Sequence, residues 1–157
     1  MKHLFAVAVL LCSFCGTALG ETIGKWNSGQ ADGFTRYWTT NNVGSNFVIW
    51  CHPKRSVNGT MLHVEIQGKL PPAGSRIKLI LDADILELPV NEHGLVGSGC
   101  ATCSDSFGYV WHKLRSANTM AVKYHDNSYA GFSLKGAANV IPGAVCPTDW
   151  QKQKARS

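Results

Sequence analysis

Charge is scarce in this sequence, with 16% of its 157 residues being Asp, Glu, Lys or Arg. No heptad or Gly-X-Y period runs through it, which excludes coiled coil and collagen. The chain also lacks G-x-G-x-x-G, a P-loop and G-x-S-x-G, and with them the usual signatures of dinucleotide, nucleotide and serine-hydrolase chemistry. No internal repeat or low-complexity stretch divides it. No two histidines stand at a metal-binding spacing, so His52, His63, His93, His112 and His125 read as surface or strand-face residues and no metal is expected. What is present is ordinary for a folded protein. The 45% hydrophobic content excludes wholesale disorder, and the length fits one domain. A formal charge of +5 permits attraction to an anionic partner without demanding one.

Residues 1–20 read as a secretory leader. Lys2 and His3 give a positive start, Leu4 to Phe14 is apolar in character, and Ala18 and Gly20 place small side chains where a signal peptidase cleaves, before Glu21. At 1.5 Å per residue that apolar stretch covers about half of a ~30 Å hydrocarbon core, too little for an anchor. The expected product is periplasmic or secreted, without a transmembrane anchor after cleavage. Nucleic acid is a poor partner for such a chain.

Export changes how the cysteines read. Cys51, Cys100, Cys103 and Cys146 remain after cleavage, an even number in an oxidising compartment. Three pairings are open to them. The favoured one joins Cys51 to Cys146 across most of the domain and Cys100 to Cys103 in a tight local ring. Two sharper readings compete for Cys100-Ala-Thr-Cys103. A redox-active dithiol needs a thiolate stabilised by a helix N-terminus that follows a strand, whereas the upstream alternation here is all-β. A zinc deaminase would use His63, Glu65, Cys100 and Cys103 in that order. Gly99 stands where that signature has proline, and His63-Val64-Glu65 lies in a period-2 run. Both cysteine pairs are therefore expected to be structural, and neither a catalytic residue nor a cofactor is expected.

Residues 21–45, rich in Gly and Asn, read as an irregular entry segment. Phe34, Tyr37 and Trp38 within it suggest a short strand or an aromatic plug. Asn46–His52 and Thr60–Ile66 read as strands joined across the Asn58-Gly59 hairpin signal. Further strands are expected at 77–81, 85–90, 120–125 and 129–134. Phe107, Val110, Trp111 and Leu114 form a helical stripe behind Ser104 or Asp105 as cap. Gly136 to Ile141 suggests one helical turn, and 151–157 reads as a basic flexible tail. The sum is a mainly β, two-sheet sandwich over 46–150 with one short amphipathic helix, stapled by disulfides.

The run from Gly97 to Gly136 resembles the invasion-associated locus B family of exported bacterial proteins. A Gly-Cys step precedes a helix and a Met-containing strand, and Ser133-Leu134-x-Gly136 closes the pattern. Upstream, Trp50-Cys51 and the strand from Lys78 to Asp82 resemble that family's early strands, so the similarity covers about 46–141. Cys103 and Cys146 depart from the pattern, and its disulfide scheme does not transfer. The resemblance implies an immunoglobulin-like sandwich and a non-enzymatic role in host-cell interaction or invasion, with no catalytic residue carried over.

The best surface candidate is His52-Pro53-Lys54-Arg55, leading into Asn58-Gly59. His52, Lys54, Arg55 and Asn58 would present a rigid cationic hairpin tip to a protein or an anionic surface of the host cell or envelope. Lys152, Lys154 and Arg156 would join it if Cys51 pairs with Cys146. Asp82 and Asp84 read as turn chemistry. Any of the five tryptophans left exposed would anchor a partner. The expected function is an exported, non-enzymatic binding protein. The alternative is a periplasmic inhibitor or immunity protein that plugs a toxic or wall-degrading enzyme with a loop at Lys54–Gly59 or Gly94–Gly99.

Overall fold

The computed structural model describes residues 23–52 and 59–155. The expected leader, Lys54, Arg55, Asn58 and Arg156 lie outside the described residues. In chain order the elements are β1 (Trp26–Ala31), β2 (Phe34–Thr40), β3 (Asn46–Cys51), β4 (Met61–Glu65), β5 (Arg76–Leu81), β6 (Asp84–Pro89), β7 (Val96–Gly97), α1 (Ala101–Ser116), β8 (Thr119–Lys123), β9 (Tyr129–Ser133), α2 (Ala137–Val140) and α3 (Asp149–Lys154). One antiparallel sheet runs β1-β2-β3-β4-β7 and the other β6-β5-β8-β9.

Period-2 alternation decides which face of each strand is buried. Phe47, Ile49, Leu62 and Val64 from the first sheet meet Ile77, Leu79, Met120, Val122, Ala130 and Phe132 from the second in one core. Edge-on ring contacts cross it, Trp26 to Phe47 at 6.1 Å and Phe47 to Phe132 at 6.0 Å. Polar ties also join the layers: the Trp26 indole donates to Ser133 O at 2.9 Å, the Tyr124 hydroxyl to Val64 O at 2.9 Å, and Asn41 Nδ2 to Gly131 O at 3.0 Å. Burial pushes the Tyr124 phenol well above its ordinary range. The stripe Phe107, Val110, Trp111 and Leu114 turns α1 onto this core, with Tyr37 edge-on to Trp111 at 5.5 Å.

The chain is thus the expected mainly β sandwich with two sheets and a short helix, stapled by Cys51–Cys146 and Cys100–Cys103. Three boundaries differ from the sequence reading. Residues 26–40 are not irregular: β1 and β2 pair in register across Asp32-Gly33, both at positive φ. An Asp-Gly pair supplies the backbone twist that a two-residue hairpin turn requires. The sandwich therefore starts at Trp26 rather than Asn46. Helix α1 starts one turn before the expected cap, because Cys100 Sγ accepts the Cys103 N–H, while Ser104 is buried against Thr148 at 2.7 Å. Gln151 to Lys154 is helix rather than frayed tail. Thr148 and Gln151 form a reciprocal capping box, and Lys152 is buried.

Candidate functional site

The outward positions of the five-stranded sheet carry an unusual set of side chains. Phe47, Ile49, Cys51, Leu62 and Val64 face the core, which turns Trp50, Met61 and His63 to the opposite face, where Met61 is nonetheless buried. Registry aligns them into rows across the sheet. Arg36 stands opposite Trp50, which stands opposite Met61; Trp38 stands opposite Val48, which stands opposite His63. The Arg36 guanidinium lies 4.4 Å from the Trp38 ring centroid and 5.9 Å from that of Trp50. The Trp38 indole lies over Gly29 on the adjacent strand, at a distance where a Cβ would make ordinary van der Waals contact. Phe34 packs edge-on to Trp50 at 5.6 Å and lies 4.4 Å from the His52 ring.

A polar chain orders the other end of this face. The Thr40 hydroxyl donates to Asn46 Oδ1 at 2.8 Å, and Asn46 Nδ2 donates to Glu65 Oε2 at 3.2 Å. Glu65 Oε1 then lies 3.1 Å from His63 Nε2. With that nitrogen donating to a carboxylate, the neutral ring keeps Nδ1 as an acceptor.

A rim segment completes a concavity. Asn91 Oδ1 accepts the N–H groups of His93 and Leu95, and Gly94 takes positive φ between them. This Asx turn stations His93 and Leu95 beside the sheet. With Asp32, Phe34, Trp50, Met61 and His63 they line a hollow of about 570 Å³ whose walls are mostly apolar. On the same sheet face Arg36 Nε and Trp38 Nε1 are shielded from water with no acceptor among the described residues. A donor left that way costs free energy that a ligand acceptor would recover. The arrangement suits binding: flat aromatic faces, a flexible thioether and a few polar groups around an open hollow.

Of the sequence-predicted site residues, the structure places His52 at this border through its contact with Phe34. Lys152 does not join a surface patch. Its ammonium donates to His52 O at 2.8 Å, Asp149 Oδ1 at 2.8 Å and Thr60 Oγ1 at 3.2 Å, which uses all three of its protons indoors. Asp149 in turn presses on Gly59, where a Cβ would meet its carboxylate within van der Waals contact. The expected Gly94–Gly99 plug is not a protruding loop, since Val96 and Gly97 pair with Leu62 and Met61. Asp82 is turn chemistry, its carboxylate accepting the N–H groups of Asn118 and Thr119. These bonds hold the Asp82 carboxyl below its ordinary range. Asp84 takes the Lys113 ammonium at 2.5 Å and the Tyr109 hydroxyl at 2.7 Å, and Lys113 foremost lowers its carboxyl too.

The zinc-deaminase order is not assembled, because Cys100 and Cys103 are bonded to each other and His63 turns to Glu65. Among the described residues no group of three or more His, Cys, Asp and Glu could hold a metal ion. Phe34, Arg36, Trp38, Trp50, Met61 and Leu95 were not singled out as a site by the sequence. The signal for Phe34, Arg36, Trp38 and Trp50 lies in FTRYWTT and NFVIWC, in which large side chains occupy both faces of strands that need only one buried.

A family model described as YfjT matches residues 24–141, a span that covers both sheets, α1 and every residue lining the hollow. No curated protein and no solved structure matches the chain. Nothing in these comparisons bears on the resemblance to the invasion-associated locus B family.

Proposed function

The chain belongs to the YfjT family, and we propose that it is an exported binding protein that takes a partner protein on the outer face of its five-stranded sheet. The observation that carries this reading is the hollow lined by Phe34, Trp50, Met61 and Leu95. A fold needs one buried face per sheet, and apolar side chains gathered on the other mark an interaction surface. Trp and Arg are the residue types that most often dominate binding energy, and Arg36 lies against both Trp38 and Trp50. The apolar walls favour an apolar protein segment over a purely anionic surface. His63 and His93 add polar recognition at the rim.

Export is part of the proposal. Two disulfides support it, and among the described residues no helix is long and apolar enough to cross a membrane. A host-cell partner, with a role in invasion, is the form of the reading that the locus B resemblance suggests. An inhibitor or immunity role for the Lys54–Gly59 segment is the alternative, for which co-purification of a hydrolase is the sign.

The test places a photocrosslinking residue at His93, an exposed position on the rim of the hollow, both in the producing cell and on host cells. A discrete adduct is expected, and Trp50→Ala should reduce it at least tenfold while leaving the melting temperature within a few degrees. A Trp50→Ala, Phe34→Ala protein that binds its partner as well as the parent would overturn the assignment of this face.

A further inference from the structure

The two disulfides occupy opposite environments. Cys51 and Cys146 are both buried and join segments 95 residues apart. Cys100 is exposed and Cys103 half-buried, and their bridge spans three residues. We propose that Cys100–Cys103 is a thiol–disulfide exchange site, in which Cys100 engages a cysteine of a partner protein and Cys103 resolves the adduct.

Three observations carry the proposal, beginning with the spacing. A Cys-x-x-Cys pair is the arrangement in which one thiol can attack and its neighbour can close the ring. The second is its place in the fold. Strand β7 ends at Gly97, and Cys100 is the N-cap of the 16-residue α1, so the sequence condition of a strand leading into a helix N-terminus is met within an otherwise β sandwich. Cys100 Sγ accepts the Cys103 N–H at 3.1 Å and lies 3.3 Å from Thr102 Oγ1. No acidic residue occupies the first turn, so nothing there opposes a negative sulfur. A thiolate at Cys100 would be stabilised by free helix N–H groups and the aligned peptide dipoles, and a stabilised thiolate makes the bridge easier to reduce.

Third, the fold does not depend on this bridge. Closing so short a ring removes little unfolded-chain entropy. Helix α1 is held instead by its buried stripe and by the Ser104–Thr148 hydroxyl pair. The bond can therefore open and close while the scaffold stays folded, which a structural staple has no need to do.

The chemistry balances with a partner dithiol as the reductant. A partner thiolate attacks Cys100 Sγ, the Cys100–Cys103 bond breaks, and Cys103 leaves as the thiolate. The partner's second thiolate then attacks its own sulfur in the mixed disulfide and releases Cys100. The partner leaves as a disulfide, having lost two electrons and two protons, and the chain holds two thiols. In the reverse direction, Cys103 expels the partner from Cys100.

The experiment titrates the oxidised protein with dithiothreitol, traps thiols by alkylation and locates them by peptide mass. Cys100 and Cys103 should open at a reductant concentration at least about tenfold lower than Cys51 and Cys146 require, with the far-ultraviolet spectrum unchanged. In Cys103→Ser, the Cys100 alkylation rate should titrate at least one pH unit below the ordinary thiol value of about 8.5. Offered a disulfide-bonded peptide, the same variant should accumulate a mixed disulfide at Cys100 with release of one peptide thiol, while Cys100→Ser should not. Simultaneous opening of both bridges would overturn the proposal on the unmutated protein alone. So would an ordinary Cys100 titration or an adduct that prefers Cys103.

Discussion

Asp82 stands at the start of a two-residue turn with positive φ, a conformation that Asp and Asn tolerate better than other side chains with a Cβ. Its carboxylate collects the N–H groups of Asn118 and Thr119 at 2.9 Å each, so one side chain joins the β5–β6 turn to the entry of β8. Those bonds favour the charged form and lower its folded-state affinity for protons. A depressed carboxylate contributes stability that is full above its unfolded value and is lost as pH falls through the folded one. Asp82→Asn keeps the shape and the backbone conformation but removes that titration. The parent should be the more stable protein at pH 7, and the difference should shrink as pH drops below about 4. Melting temperatures measured from pH 7 to pH 2 check this; a gap that stays constant to pH 2 contradicts it. The sequence identified the Asp82–Asp84 stretch as a turn, but that the Asp82 carboxylate would meet the Asn118 N–H depended on a segment 36 residues away.

At the scale of elements, the β1–β2 hairpin is the most instructive case. Glycines at 24, 29, 33 and 44 make the segment resemble irregular chain, yet three of them have a definite task. Gly24, Gly33 and Gly44 take positive φ, Gly33 beside Asp32 in the hairpin turn. The hairpin provides two of the five strands and brings Trp26 into the core, 5% exposed. A chain starting at Asn46 should accordingly fail to fold: it loses Trp26, Tyr37 and the buried Thr39, and it leaves β3 as an unpaired edge. Poor amide dispersion by NMR and the absence of a cooperative urea transition are the expected readouts. The later elements were easier to read because each rests on a local pattern. The Phe107–Leu114 stripe has helical period, and the β8–β9 hairpin joins two strand-forming segments across the turn residues Asp126-Asn127-Ser128. The start of α1 was less legible, since its cap is a cysteine sulfur rather than one of the oxygen-bearing residues that usually take that position.

For the molecule as a whole, Cys51–Cys146 and the polar cluster beneath it close the chain on itself. Lys152 on α3 reaches back to His52 O, and the Thr60 hydroxyl donates to Pro147 O at 2.7 Å. A bridge of this span removes about 4–5 kcal/mol of unfolded-chain entropy on the chain-entropy model. That is a large share of the roughly 5–15 kcal/mol by which small domains are stable. Cys51→Ser with Cys146→Ser should lower the urea midpoint by a corresponding amount, whereas replacing Cys100 and Cys103 should move it little. Comparable losses from the two pairs would contradict the separation of their roles.

The amino-acid order by itself determined the strand alternation, the apolar stripe of the main helix and the spacing of the four cysteines from Cys51 to Cys146. These are set by neighbours a few residues apart, and period and turn chemistry record them directly. Tertiary structure alone decided which tryptophans left the core, how Phe34, Trp50, Met61 and His93 came to share one hollow, and that Cys100 caps a helix while Cys146 is buried. Each of those depends on registry between strands and on packing between layers. Such contacts join residues tens of positions apart, and no local pattern encodes their distance.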